Sequence, residues 1–307
     1  MPLNPALKQL IETKLAHTHA PQWELPIAEV RAAFRNLWTP AITGEPVALR
    51  RIEDVAIPAA DTRISARIYA PDDAKPCPIM LYFHGGGYVK GGIEDSDAFC
   101  RNLARVARHL VVSIDYRLAP EHRFPAALDD AIAATVWAGM HGGEVGGRPG
   151  PVVVCGESAG GNLAAVTCLS LRSDPRVSIR YQVLLQPVVD FTLSFPSMAM
   201  APAECLVPRD DLAWYYRTYC SDRCDAKDPR VSPIFAEDLS GLPPALIIAA
   251  EYDTLRDEAQ AYAERLKAAG VATRYVCTPG MVHGFLQMRG LVADAQTATE
   301  EIARALN

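Results

Sequence analysis

Short runs that are apolar at nearly every position recur along this chain, separated by stretches with helical spacing. They are Pro78-Ile-Met-Leu-Tyr-Phe-His84, Leu110-Val-Val-Ser-Ile-Asp115 and Pro151-Val-Val-Val-Cys155, followed by Tyr181–Leu185, Ala245–Ala249 and Thr273–Cys277. A strand with one wet face alternates apolar and polar residues; a run apolar on both faces needs cover on both sides. Helical patterns begin near Asp95, near Pro125 and at Ala159, so the order is strand, helix, strand, as in βαβ units. The expectation is an α/β chain with a mostly parallel central sheet flanked by helices. Two earlier strand-like runs, Leu49–Pro58 and Thr62–Tyr69, meet at a polar turn around Asp61 with no helix between them. They predict an antiparallel edge.

The 307 residues, half of them apolar and 21% charged, suffice for one large α/β core with an appended cap. The formal charge of −6, with Lys and Arg scattered, argues against nucleic acid or an anionic membrane as a partner. The opening MPLNPALKQLIETKL lacks a basic stretch followed by an apolar one, and no apolar run of about 20 residues occurs. A cytoplasmic protein without a membrane span is expected. The eight cysteines form no CxxC pair, and no disulfide framework is expected. Cys220 and Cys224 have the spacing of one helix face, but no further ligand lies beside them, so no metal site is expected.

Two segments fall outside the alternation. Residues 1–45 hold two amphipathic helices, one with Leu7, Leu10, Ile11 and Leu15 on a face, the other with Ile27, Val30, Phe34, Leu37 and Trp38. A Pro-, Met- and aromatic-rich stretch at about 191–239 carries a predicted helix through Leu212-Ala-Trp-Tyr-Tyr-Arg217. Long insertions of this kind commonly cover an active site. The domain reading is therefore residues 1–45 as the N-terminal part of a helical cap, and 46–307 as a catalytic domain interrupted by a cap insertion. Phe34, Leu37, Trp38, Trp214 and Tyr215 either shape a pocket or form the cap's own core.

Gly156-Glu157-Ser158-Ala159-Gly160 matches the GxSxG nucleophile elbow, in which a serine sits on a sharp strand-to-helix turn. The pattern alone carries little, because Gly and Ser are common in turns. Here an apolar strand leads into it and a helix (Ala159–Leu171) follows, which is the context the motif requires. Upstream, His84-Gly85-Gly86-Gly87 follows the strand ending at Phe83. Consecutive glycines let backbone N–H groups approach a ligand, and such donors stabilise the oxyanion of acyl transfer. Gly85, Gly86 and Gly87, with Ala159, are the candidate oxyanion hole.

A serine hydroxyl needs a base. In elbow-built enzymes the partners follow in the order Ser, acid, His. Of seven histidines only His283 lies after Ser158. The acid should sit on the loop after the penultimate strand, where Glu251, Asp253 and Asp257 are close together. Asp253 is best placed: Glu251 is too near the strand, and Asp257 suits the first turn of the next helix.

The HGGG motif, the Gly-Glu-Ser-Ala-Gly-Gly elbow, Asp-Tyr-Arg-Leu-Ala-Pro-Glu at 115–121, Asp-Thr-Leu-Arg-Asp at 253–257 and His-Gly-Phe at 283–285 together resemble the bacterial hormone-sensitive-lipase-like (family IV) esterases of the α/β-hydrolase fold. The resemblance runs from about residue 50 to the end, with a cap of the expected length before it. It implies hydrolysis of short- to medium-chain carboxylic esters through an acyl-enzyme, with a small-molecule ester as the partner and no cofactor or metal. Under it Ser158 is the nucleophile, His283 the base and Asp253 its orienting carboxylate. Gly86, Gly87 and Ala159 donate to the oxyanion, Gly85 shapes the turn, and Tyr116-Arg117 is scaffold. Glu157 departs from the aspartate more usual there, which puts the packing of the elbow in question.

Two other activities use the same residues or scaffold. One is an amidase or peptidase with this triad. The other is a non-catalytic ligand-binding protein, disfavoured because such proteins lose the histidine. The strand and helix from Thr273 onward offer an edge for a possible homodimer.

Overall fold

Among the described residues eight strands hydrogen-bond into one sheet in the order β1-β2-β4-β3-β5-β6-β7-β8. They are β1 (Arg51–Pro58), β2 (Arg63–Ala70), β3 (Ile79–Phe83), β4 (Leu110–Asp115), β5 (Val152–Glu157), β6 (Ile179–Leu185), β7 (Ala245–Tyr252) and β8 (Thr273–Val282). The computed structural model describes residues 1–17, 20–60, 62–71, 76–221 and 224–306. The expected turn residue Asp61, His19 and the side chain of Leu15 lie outside that description. β1 pairs antiparallel with β2, and β2 antiparallel with β4; every other pairing is parallel. The expected antiparallel edge and parallel centre are therefore both present.

The double-sided apolar runs are explained by the layers. Along β3, Ile79, Leu81 and Phe83 face one core, while Met80 and Tyr82 face the other. β5 and β7 divide in the same alternating way, because successive side chains on a strand point to opposite faces. One face is covered by α5 (Ala126–His141), α6 (Ala159–Leu171) and α8 (Arg256–Ala268). The other is covered by α4 (Asp97–Ala107) and α9 (Ala293–Leu306), joined by Leu7 and Ile11 of α1 (Pro5–His17).

The strand order reverses at β3. From β3 the chain crosses through α4 to β4 on one side, then through α5 to β5 on the other. Open α/β sheets bind ligands in the crevice at such a switch point, beyond the carboxyl ends of the strands. Here those ends carry the HGGG run, after β3, and Ser158, after β5.

Boundaries shift in a few places. A single 3₁₀ turn occupies Glu94–Ser96, so α4 starts at Asp97. β7 and β8 run on to Tyr252 and Val282 through a register irregularity between Ala250 and Tyr252. Before the sheet come α1, α2 (Ile27–Leu37) and a short α3 (Pro40–Thr43). Between β6 and β7 lies the long connection carrying α7 (Arg209–Cys220). Its Tyr219 stacks on Tyr88 at 4.0 Å, and Tyr216 stacks on Phe191 at 3.8 Å. One expectation is corrected here: Cys220 and Cys224 are joined in a disulfide at the end of α7, with Cα atoms 5.1 Å apart. Cys100, Cys155, Cys168, Cys205 and Cys277 are free thiols.

Candidate active site

Ser158 follows the last residue of β5 and precedes the first of α6, with φ 57° and ψ −118°. A non-glycine residue with positive φ is uncommon and is held only where its surroundings demand it. The demand comes from the glycines beside it. A Cβ on Gly156 would lie 2.1 Å from the carbonyl oxygen of Gly160, and one on Gly160 would lie 2.0 Å from that of Phe83. The turn therefore closes only with glycine at both positions, and α6 presses directly on the end of β3. Ser158 N–H donates to Leu185 O at 2.8 Å, which ties the elbow to β6. Inside α6, Asn162 Nδ2 donates to Val188 O and Val231 O, anchoring the helix to the connection after β6.

Asp253 stands just beyond β7 and His283 just beyond β8. His283 Nδ1 lies 2.9 Å from Asp253 Oδ2, and the two residues are 8% and 1% exposed. A carboxylate only accepts, so the shared proton sits on Nδ1 and Nε2 keeps a lone pair. The other carboxylate oxygen, Oδ1, accepts the Leu255 N–H at 3.0 Å, which fixes the carboxylate plane. Burial works against the imidazolium. The charge and hydrogen bond of Asp253, aided by Glu157, more than offset it and hold His283 above its ordinary 6.5. The neighbouring acids take other roles: Glu251 lies within β7 and accepts the Gly280 N–H, and Asp257 lies in the first turn of α8.

The glycine run lies against the elbow. A Cβ on Gly85 would meet Ser158 Cβ at 3.5 Å and Glu157 Oε2 at 3.3 Å. Gly86 and Gly87 have φ of 121° and 63°. Ala159 opens α6, where N–H groups have no partner within the helix and the dipole favours a negative charge. Behind the run, His84 is buried and its pKa is pushed down to about 4. Its Nδ1 donates to Gly85 O, its ring stacks on Tyr116 at 4.1 Å, and Tyr116 Oη donates to His84 O at 2.8 Å. Arg117 meets Asp130 through its side chain and its backbone N–H. The Tyr116-Arg117 pair thus holds the loop from behind, as scaffold.

Glu157 finds a partner the sequence did not suggest. Its Oε2 accepts from Gln287 Nε2, while Oε1 is buried with no hydrogen-bond partner among the described residues. Burial raises its pKa. Above the loop, the Tyr215 ring fills the space over Gly87, and Tyr215 Oη donates to Gln22 Oε1 at 3.0 Å. Lys90 Nζ donates to the same oxygen at 3.0 Å and lies over the Phe34 and Tyr215 rings; burial lowers its pKa to about 7. Of the expected pocket aromatics, Tyr215 thus covers Gly87 and Phe34 meets Lys90, while Trp38 packs edge-on against Phe34. Among the described residues no group of three or more His, Cys, Asp or Glu side chains is arranged to hold a metal ion, and no helix is long and apolar enough to cross a membrane.

A family model described as the alpha/beta hydrolase fold matches residues 80–287. The carboxylic ester hydrolase LipN of Mycobacterium tuberculosis is 43% identical over 261 residues, covering 83% of this chain and 69% of that protein. The ethyl acetate hydrolase of Pseudomonas putida is 34% identical over 315 residues, covering 100% of this chain and 99% of that protein. Among solved structures, a hyperthermophilic esterase from Pyrobaculum calidifontis superposes with a TM-score of 0.94 at 41% identity, covering 100% of this chain and 98% of that one. Matched over most of its length in sequence and in backbone, the chain belongs to the α/β hydrolase fold family, in its hormone-sensitive-lipase-like branch.

Proposed function

We propose that the chain hydrolyses short- to medium-chain carboxylic esters, with Ser158 as nucleophile, His283 as general base and acid, and Asp253 as the carboxylate that orients His283. The observation that carries this reading is the 2.9 Å contact between His283 Nδ1 and Asp253 Oδ2. It leaves Nε2 basic on a residue that follows β8, at the same end of the sheet as the strained Ser158. Nε2 takes the hydroxyl proton as Ser158 Oγ attacks the ester carbonyl. Backbone N–H groups of Gly86, Gly87 and Ala159 hold the oxyanion, and Gly85 shapes their loop. His283 then returns the proton to the departing alcohol, and water cleaves the acyl-enzyme by the same route. A named relative, the ethyl acetate hydrolase, supports a small ester, as does Tyr215 packed directly over Gly87.

Residues 1–45 and the connection between β6 and β7 act in this reading as the cap, supported by Gln22 and Phe34 meeting Lys90 and Tyr215 above the loop. The edge strand β8 is the surface proposed for a homodimer. The deciding experiment measures hydrolysis of p-nitrophenyl esters from acetate to palmitate by wild type and Ser158→Ala. A maximum at short or medium chains, lost in a folded Ser158→Ala protein, is the expected result. Retained turnover in that variant sinks the assignment.

A further inference from the structure

Three strand ends must be held in register for Ser158, Asp253 and His283 to work together, and one dipeptide touches all three. Leu185, the last residue of β6, accepts the Ser158 N–H at 2.8 Å. Gln186 follows it with φ 47°, a conformation that glutamine rarely adopts. From there its backbone N–H donates to Ile248 O of β7, the strand that leads to Asp253, at 2.7 Å. Its side chain is fully buried and reaches the histidine turn from both sides. Nε2 donates to Val282 O at 3.1 Å, and Oε1 accepts the Gly284 N–H at 2.7 Å. The residues gripped are those immediately before and after His283, and among the described residues no other group bonds to the amide. A side chain that served only to fill space would have no reason to be an amide, to be aimed at these two groups, or to tolerate a left-handed backbone.

We infer that Gln186 is a positioning residue for the hydrolysis proposed above, clamping the backbone on both sides of His283 so that the imidazole stays aligned with Asp253 and Ser158. It touches no substrate and acts through His283. The charges that act on that imidazole are those of Asp253 just beyond β7, Glu157 at the end of β5 and Lys14 of α1. Loosening the turn weakens the Asp253 contact first, since that contact depends on where the ring is held.

The test compares wild type with Gln186→Met, which keeps the volume and loses both hydrogen bonds. Gln186→Glu keeps only an acceptor for the Gly284 N–H. Ser158→Ala serves as the control. Expected for Gln186→Met is a fall of about 10- to 100-fold in kcat with KM nearly unchanged. The acid limb of the pH–rate profile moves to lower pH as His283 loses part of its Asp253 pairing. Gln186→Glu falls between wild type and Gln186→Met. If Gln186→Met matches wild type in kcat and in its acid limb, the clamp is refuted. A raised KM with an unmoved limb refutes it too, since that is the mark of a merely structural side chain. If Gln186→Met does not fold, Gln186→Glu decides by the same two readouts. Wild type without esterase activity, or an active Ser158→Ala, overturns the esterase reading and the clamp with it. An active wild type, a dead Ser158→Ala and an unchanged Gln186 series overturns the clamp alone.

Discussion

The ring of Tyr215 occupies the space that a side chain on Gly87 would need: a Cβ built there lies 2.3 Å from the ring. The loop after β3 and the helix α7 are thus fitted to each other at a position where only hydrogen is tolerated. The backbone agrees, since Gly87 has φ 63°.

Gly87→Ala should therefore both destabilise the protein and spoil the N–H donors beside it. Losing one oxyanion donor costs on the order of 10²- to 10³-fold in kcat. In a Tyr215→Ala background the added methyl finds room, so the stability loss should shrink by a coupling of about 0.5–3 kcal/mol. Denaturant unfolding of the four proteins of this cycle checks it, and strict additivity would show that the contact is not the cause.

The pH dependence follows from His283. The group works as a neutral base, and its pKa lies above 6.5 because Asp253 and Glu157 outweigh burial. Activity should rise with pH through that raised value. Asp253→Asn removes the main raising influence and leaves burial, so the acid limb should move below 6.5 while kcat falls on the order of 10⁴-fold. For stability the sign is opposite. A raised pKa contributes stability below the unfolded value that is lost as pH rises through the folded one. Unfolding free energy followed across that range should show this loss in wild type, and a gain with rising pH in Asp253→Asn, whose imidazole then has a folded pKa below its unfolded value.

Ser158 offers a test of backbone strain that does not depend on catalysis. At φ 57° and ψ −118°, an L side chain costs about 1–3 kcal/mol, whereas glycine is at ease there. Glycine gives back about 0.5–1 kcal/mol through its unfolded-state entropy. Ser158→Gly and Ser158→Ala should both be inactive, with the glycine variant the more stable by about 1 kcal/mol. Equal unfolding midpoints would remove the claim of strain at the elbow.

Tyr116 Oη donates to the buried His84 carbonyl at 2.8 Å. Tyr116→Phe keeps the ring stacked on His84 but leaves that carbonyl unpaired, at a cost of about 1–3 kcal/mol. A drop of a few degrees in Tm with a folded protein is expected. No change would mean that the hydroxyl does not support the loop.

Most of the sheet could be read from the chain, because β3, β5 and β7 are apolar on both faces and only a strand between two helical layers needs that pattern. Ser158 was legible through its glycines, which steric closure of the turn requires, and His283 because no other histidine follows the elbow. Asp253 was separable from Glu251 and Asp257 by where a strand ends and a helix begins. Gln186 and Gln287 left no such trace, and Tyr215 stood out only as one cap aromatic among several, with no partner attached. Each acts on a partner far away in sequence: Gln186 on Val282 and Gly284, Gln287 on Glu157, Tyr215 on Gly87. Nothing in a residue's immediate neighbours encodes such a contact. The Cys220–Cys224 bond was hidden for a related reason, since their spacing permits contact without stating what fills it.

What the sequence determined by itself is local: which runs are buried on both faces, where glycine is compulsory, and which residue types stand in the order an acyl-transfer site requires. The tertiary structure decided which ends of which strands meet, at the reversal between β3 and β5, and which side chains from β6, α7 and the turn after β8 hold those ends in place. Periodicity and steric demand act over a few residues and are written in them. The clamp on His283 and the ring over Gly87 exist only once the whole sheet has closed.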